Sequence, residues 1–445
     1  MSGTVERSAS GLVVAVGVAT AATCAAIAAQ ALVFGSAAGR WVFPYVAAYR
    51  LEALAASVAV AIAAALLVEG VGRLATRRPA LAVLLAVAGA TAVQLAAWRI
   101  YPYAPGAIVR SDAATSYFTA ALRHAPAELL RAYDAIAPTL PLHAAGNMPG
   151  KLLLFRAMHA FTGSPDAMAV AIVILSSLVG AVVFAIADEL FRDRAAATAA
   201  LMLYLFLPCR LVFAPILNGV APLPVAVALL AWVRYLRTGS VALPVAGGVA
   251  LLAGVVFDPT PLALGLVFAA AALASRANGG ASWGRIGSGV ALTAAGFGVA
   301  WLVLRLATGF DALHQLARVA AEAERFNAWA GRPYATWLLP NLVEFFAAAG
   351  APLVVVLAWG LRDRSSLAEP ARWMAVAGLG TVLVVDLLGR NRGEVSRLWI
   401  FLCVPLAIAA GGALARSGRG PLRWAVAWLA FQGTTMLAVL GFVIP

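Results

Sequence analysis

Runs of about 20 residues dominated by Ala, Leu and Val recur along the chain, and at 1.5 Å per helical residue each can cross the roughly 30 Å hydrocarbon core of a bilayer. Membrane β-strands would instead alternate apolar and polar residues at every second position, and these runs do not. With 63% hydrophobic and 11% charged residues among 445, and a mean hydropathy of +0.92, the chain lacks the polar side chains to clothe a water-soluble surface. The expected fold class is therefore all-α, a polytopic transmembrane helix bundle carrying extracytoplasmic amphipathic juxtamembrane helices.

Thirteen segments read as spans: 10–35, 50–70, 79–98, 166–187, 195–213, 219–236, 241–256, 260–274, 286–306, 338–360, 373–389, 398–415 and 424–443. The first is too long for a signal peptide and has no small-residue cleavage pattern, so it is expected to remain as a membrane helix. Residues 1–445 form one transmembrane domain interrupted by two long loops, 99–165 and 307–337. No fixed-period repeat and no paired interrupted helices of the transporter type are visible. Cys24, Cys209 and Cys403 stand singly in apolar surroundings and read as small core residues.

With the N-terminus inside, sixteen of the thirty-two basic residues fall in cytoplasmic connections, such as Arg73/Arg77/Arg78, Arg362/Arg364/Arg372 and Arg416/Arg419/Arg423. These connections are short and adjoin the spans, which is where basic residues set orientation. The expected placement is an inner, cytoplasmic membrane, with the C-terminus outside and 99–165, 307–337 and the link 389–397 converging on the outer face. The net charge of +13 comes from 31 arginines and one lysine against 19 acids. No basic cluster is interleaved with aromatic residues, so membrane lipid and phosphate groups are the expected anionic partners and nucleic acid is not.

The longest polar interruption, Tyr101 to Lys151, holds most of the candidate chemistry. It begins with Arg110-Ser111-Asp112, followed by an amphipathic run from Ala113 to Tyr133. Asp112 would stand where a lipid-borne substrate meets water, as a general base, and Arg110 beside it could bind substrate; a plainer role for Ser111 or Asp112 is to cap a helix starting near Ala113. The loop closes with His143, then Asn147-Met148-Pro149-Gly150-Lys151, a helix start whose free N–H groups favour anions. Lys151 adds a compact charge there, and a lysine snorkelling from an amphipathic helix is the alternative.

The link Gly389–Arg397 concentrates Arg390, Arg392, Arg397 and Glu394 between two spans, a density that calls for acidic lipid or a phosphate ligand; the alternative is a tight loop held by Glu394 and Arg397 one turn apart. The segment 307–337 reads as a surface helix. His124, Asp134, Asn218, Asp258, Glu322, Glu324 and Arg325 are weaker candidates, with solvated or capping roles. Ala113 and Ala114 follow Asp112, so no DxD pair exists; no cofactor is required, and a divalent cation, though possible, has few obvious ligands.

Three of these features together resemble the GT-C superfamily of polytopic glycosyltransferases, similar to the aminoarabinose and protein mannosyl transferases. They are Asp112 in the first large loop, the turn His143…Pro149-Gly150-Lys151 that ends it, and the late loop Arg390 to Arg397. Two extra spans precede the acid, and the family's His-Pro-Pro-Gly turn is here Asn147-Met148-Pro149-Gly150. The resemblance implies sugar transfer from a polyprenyl-phosphate donor to a hydroxyl-bearing lipid, glycan or protein acceptor. Asp112 would then be the catalytic base, and Lys151, Arg390, Arg392 and Arg397 would bind the donor phosphate in one pocket, with Arg110, His143, Asn147 and Glu394 as weaker substrate contacts. The rival expectation is a transporter or flippase of an anionic lipid-linked glycan, which would need several ionisable residues within its spans.

Overall fold

The computed structural model describes residues 2–32, 43–112, 114, 117–362 and 369–442. Ala113, Arg364 and the outer ends of the first and last expected spans, 33–35 and 443, lie outside the described residues. Among the described residues all named elements are helices, and an isolated antiparallel bridge joins Tyr45 to Leu440. Nine of these helices are long and apolar enough to cross a membrane, or ten if one sharply bent pair counts as a single span.

The four other expected spans have particular shapes. The stretch 195–213 folds as Arg194–Leu205 followed by Pro208–Val212, since Pro208 cannot donate into a continuing helix. Its freed carbonyls are met by side chains: Leu205 accepts from Gln94 Nε2 at 2.7 Å and Arg210 Nη1 at 3.1 Å. This is how an interrupted helix survives away from water. The stretch 241–256 forms Ala242–Phe257, a shorter apolar helix of 16 residues ending before Asp258-Pro259. The stretch 338–360 forms Tyr334–Ala349 and Ala351–Arg362, bent by 98° at Gly350, whose φ of +101° suits glycine. Gln432 closes that break, accepting from Ala351 N–H at 2.9 Å and donating to the Ala347 carbonyl at 2.8 Å. The last stretch belongs to Arg419–Val439, which buries the polar side chains of Gln432, Thr434 and Thr435.

The chain divides into two compact units. The first comprises Met1–Pro102, Ser177–Ala214 and Arg332–Phe442; the second comprises Tyr103–Ser176, Pro215–Gly331 and Val443–Pro445. In the first, Leu51–Leu74 packs on Arg419–Val439, and the fully buried helix Cys403–Leu414 packs on Arg194–Leu205 and on Glu369–Leu388.

In the second unit, Ala242–Phe257 packs on Pro222–Thr238 and on Trp283–Thr308. The latter contact is a reciprocal glycine approach. A Cβ on Gly248 would lie 2.2 Å from the Thr293 carbonyl oxygen, and one on Gly296 would lie 2.3 Å from that of Val245. Small residues let such backbones touch where lipid supplies no hydrophobic drive for association. The long loop folds onto this scaffold as short helices, burying Val109, Tyr117, Phe118, Leu129, Tyr133 and Phe155 with Phe310 and Ala312 in one apolar cluster.

Candidate functional site in the second unit

Asp112 is exposed, but the chain around it is anchored. Val109 before it and Tyr117 after it are both buried in the apolar cluster, the Ser111 hydroxyl accepts from Ala114 N–H at 3.0 Å, and Thr119 Oγ1 donates to Asp112 Oδ1. The expected amphipathic run is three short helices instead, Phe118–Arg123, Pro126–Arg131 and Tyr133–Ile136, because Pro126 ends the first turn set and opens the next. Arg110 closes the preceding helix Pro105–Arg110 and is exposed.

The turn ending the loop does start a helix, Gly150–His159. Gly150 is the reason it can dock: a Cβ there would lie 2.5 Å from the Val256 carbonyl oxygen and 2.6 Å from Phe257 Cα. That close approach sets Lys151 against the next residue of the neighbouring helix end, Asp258. Lys151 is only 2% exposed, and its Nζ donates to Asp258 Oδ2 at 2.8 Å and to Asn147 Oδ1 at 2.9 Å and lies 5.5 Å from the centre of the Tyr117 ring. Burial pushes the Asp258 carboxyl up, but the Lys151 ammonium and the donors of Thr260, its N–H at 3.1 Å, together hold the group below the usual carboxylate range. The single lysine therefore sits in a buried ion pair, and its charge is already compensated by Asp258.

Asn147 links this pair to the surface helix. Its amide donates to the His143 carbonyl at 2.7 Å, and its own carbonyl accepts from Tyr133 Oη at 2.7 Å and Arg318 Nη2 at 3.2 Å. Arg318, on Ala312–Trp329, also donates to the Ala145 carbonyl at 2.8 Å and to Gln315 Oε1 at 2.7 Å, while Gln315 donates to Asp134. His143 joins the network through its backbone carbonyl, which also receives Tyr117 Oη at 3.3 Å. Burial raises the Tyr133 hydroxyl above its ordinary range, so it stays a neutral donor.

The surface helix is itself capped by Asp311, which accepts from Leu313 and His314 N–H and from Trp301 Nε1. Partial burial would raise that carboxyl, and these donors, with Arg305 at 3.3 Å, hold it low. The loop and the 312–329 helix thus pack together as one roof-like layer. Arg318→Ala removes the donors that join them. It should cost about 2 kcal/mol and speed backbone amide exchange in 143–147, measured by hydrogen exchange.

No protein-family model matches the chain, and no curated protein does either. Among the described residues no three His, Cys, Asp or Glu side chains converge as a metal ligand set.

The arginine link lies in the first unit, whereas Asp112 and Lys151 belong to the second. Within the first unit Glu394 occupies a left-handed backbone position, φ +59°, and its carboxylate takes Arg332 Nη2 at 2.7 Å and Arg397. Two cations on one carboxylate help hold a conformation that costs an L-residue about 1 kcal/mol or more. The Glu394–Arg397 pair one turn apart is the tight-loop arrangement weighed above. Arg392 donates to the carbonyls of Gly389 at 2.9 Å and Arg332 at 3.1 Å, and Arg390 is exposed.

Below the link, Glu344 accepts from Ser396 N–H and Oγ at 2.9 and 2.7 Å. Asn341 donates to Asp386 Oδ1 at 3.1 Å and accepts from Gly393 N–H at 2.9 Å. Sequence reasoning passed over Arg332, Asn341 and Glu344. Arg332 precedes an apolar run and Asn341 and Glu344 lie inside the expected span 338–360, and only the partners brought by folding give them meaning.

Proposed function

We propose that the protein is a GT-C-like membrane glycosyltransferase of the cytoplasmic membrane, working at the outer face on a polyprenyl-phosphate sugar and a hydroxyl-bearing acceptor. The observation that carries the reading is Asp112, an exposed carboxylate oriented by Thr119 and fixed at the edge of a packed roof by buried neighbours on both sides. Asp112 takes the acceptor proton as the acceptor oxygen attacks the anomeric carbon, the bond from that carbon to the phosphate oxygen breaks, and polyprenyl phosphate leaves with the electron pair. Attack opposite the leaving group inverts the anomeric centre. In this unit Lys151 and Arg318 hold the roof in shape, while exposed Arg110 is the cation nearest in sequence to the base. Purified protein incubated with labelled polyprenyl-phosphate sugar and a candidate acceptor tests the reading; transfer of label supports it.

A second reading, transport of an anionic lipid-linked glycan, draws on buried ionisable groups of the first unit: Arg210, Glu344 and Asp386 within expected spans, and Arg332 and Glu394 in the connections beside them. Such groups within membrane helices often mark ion or substrate paths, and Arg390, Arg392 and Arg397 would then bind phosphate without chemistry. Movement of intact donor between leaflets with no sugar released separates the two.

The proposed orientation has its own check. A reporter fused after Pro445 is expected to register extracytoplasmic, with the 99–165 loop on the same side; a cytoplasmic signal means that the proposed count of thirteen spans is off by one.

A further inference from the structure

Four helix ends meet at one end of the first unit: the C-terminal ends of Leu51–Leu74 and Cys403–Leu414 and the N-terminal ends of Arg194–Leu205 and Arg419–Val439. They enclose a cleft of about 110 Å³ whose walls include Val68, Gly72, Arg194, Ala199, Arg419 and Leu422. Gly72 makes room for a cation at the mouth, since a Cβ there would lie 3.3 Å from Arg419 Nε. Arg419 itself makes no hydrogen bond or ion pair among the described residues. Arg194 is held differently: its Nε pairs with Asp188 Oδ1 at 3.1 Å and its guanidinium lies 5.7 Å from the centre of the Phe184 ring, which fixes the fork and leaves both Nη groups for a ligand. The connections at this end, 69–78, 188–194 and 416–423, hold eight arginines against four carboxylates.

We propose that this cleft seats the phosphate headgroup of an anionic membrane lipid. Leu51–Leu74 and Ile400–Ser417 are both candidate spans, so their shared end marks the level at which hydrocarbon gives way to headgroups. The guanidinium fork of Arg194 matches phosphate oxygens, and Arg419 supplies a second cation that pairs with no acid among the described residues. The apolar walls Val68, Ala199 and Leu422 suit the glycerol and first acyl carbons. A space this small is well below the roughly 300 Å³ of ordinary small-molecule sites, which fits a headgroup and excludes a sugar nucleotide. The site requires no catalysis, so it stands or falls apart from the transferase reading.

Native mass spectrometry of the full-length protein, released from detergent containing phosphatidylglycerol or phosphatidylcholine, tests it. One tightly held phosphatidylglycerol is expected, with no retained phosphatidylcholine. Arg419→Gln should weaken retention about fivefold, the share of one arginine near a lipid phosphate. Arg416→Gln, which removes the same charge outside the cleft, should leave it unchanged. Gly72→Leu fills the cleft while improving helix propensity, and should abolish retention with thermal stability intact. Equal losses in Arg416→Gln and Arg419→Gln, full retention in Gly72→Leu, or glycerol phosphate binding as tightly as the lipid would each overturn the assignment.

Discussion

Lys151→Met is expected to lose about 3–5 kcal/mol of stability, because it leaves the Asp258 carboxylate buried with no counter-charge. The ion pair joins segments 107 residues apart at 2.8 Å, so the loss should appear as an early-melting second unit. Asp258→Asn should cost a similar amount by stranding the ammonium. The double variant Lys151→Met/Asp258→Leu removes both charges and should recover most of the loss, since apolar replacement of a buried pair is often neutral. The Asp258 carboxyl lies lower in the folded protein than in the unfolded chain, so its contribution is complete above the ordinary carboxylate range near 4 and fades as pH falls through that value toward the folded one. Thermal unfolding in detergent, repeated between neutral and acidic pH, reads both effects. Single variants as stable as the parent would show that the pair holds nothing together.

Asp112→Asn is expected to reduce sugar transfer by about 10²–10⁴-fold, the usual share of a general base, while donor binding stays within about twofold. The substitution is nearly isosteric, the residue is exposed, and its amide oxygen can still accept from Thr119, so the fold should not change. Asp112→Glu keeps the base but moves it by one methylene, and should fall between the two. Thr119→Val, which removes the orienting donor, should lower the rate less than Asp112→Asn does and leave donor affinity alone. Equal loss of donor binding and of transfer in Asp112→Asn would turn the carboxylate into a substrate contact.

The membrane-length apolar helices and the helix start at Gly150 were legible because each rests on local rules: apolar runs of spanning length, and Pro-Gly before a helix. Breaks within apolar runs were less so. Pro208 and Gly350 are visible in the sequence, yet whether a run bends or continues depends on partners such as Gln94 and Gln432, and these come from elsewhere in the chain. Lys151 illustrates the same limit. Its singularity marked it for attention, but a lone cation beside a turn suggests a phosphate ligand or a snorkelling side chain, and Asp258 was legible only as a solvated or capping acid. Tyr117, Tyr133 and Arg318 were hidden for another reason: they act through backbone carbonyls, and no sequence pattern announces an acceptor that every residue has.

The most direct measurement is the stoichiometry of donor consumption by purified protein in lipid nanodiscs, with polyprenyl phosphate released and sugar transferred counted in the same reaction. The transferase account predicts one polyprenyl phosphate freed per sugar moved, with inverted anomeric configuration in the product and neither event in Asp112→Asn. Donor that crosses the bilayer chemically intact, at the same rate in the parent and in Asp112→Asn, would contradict it.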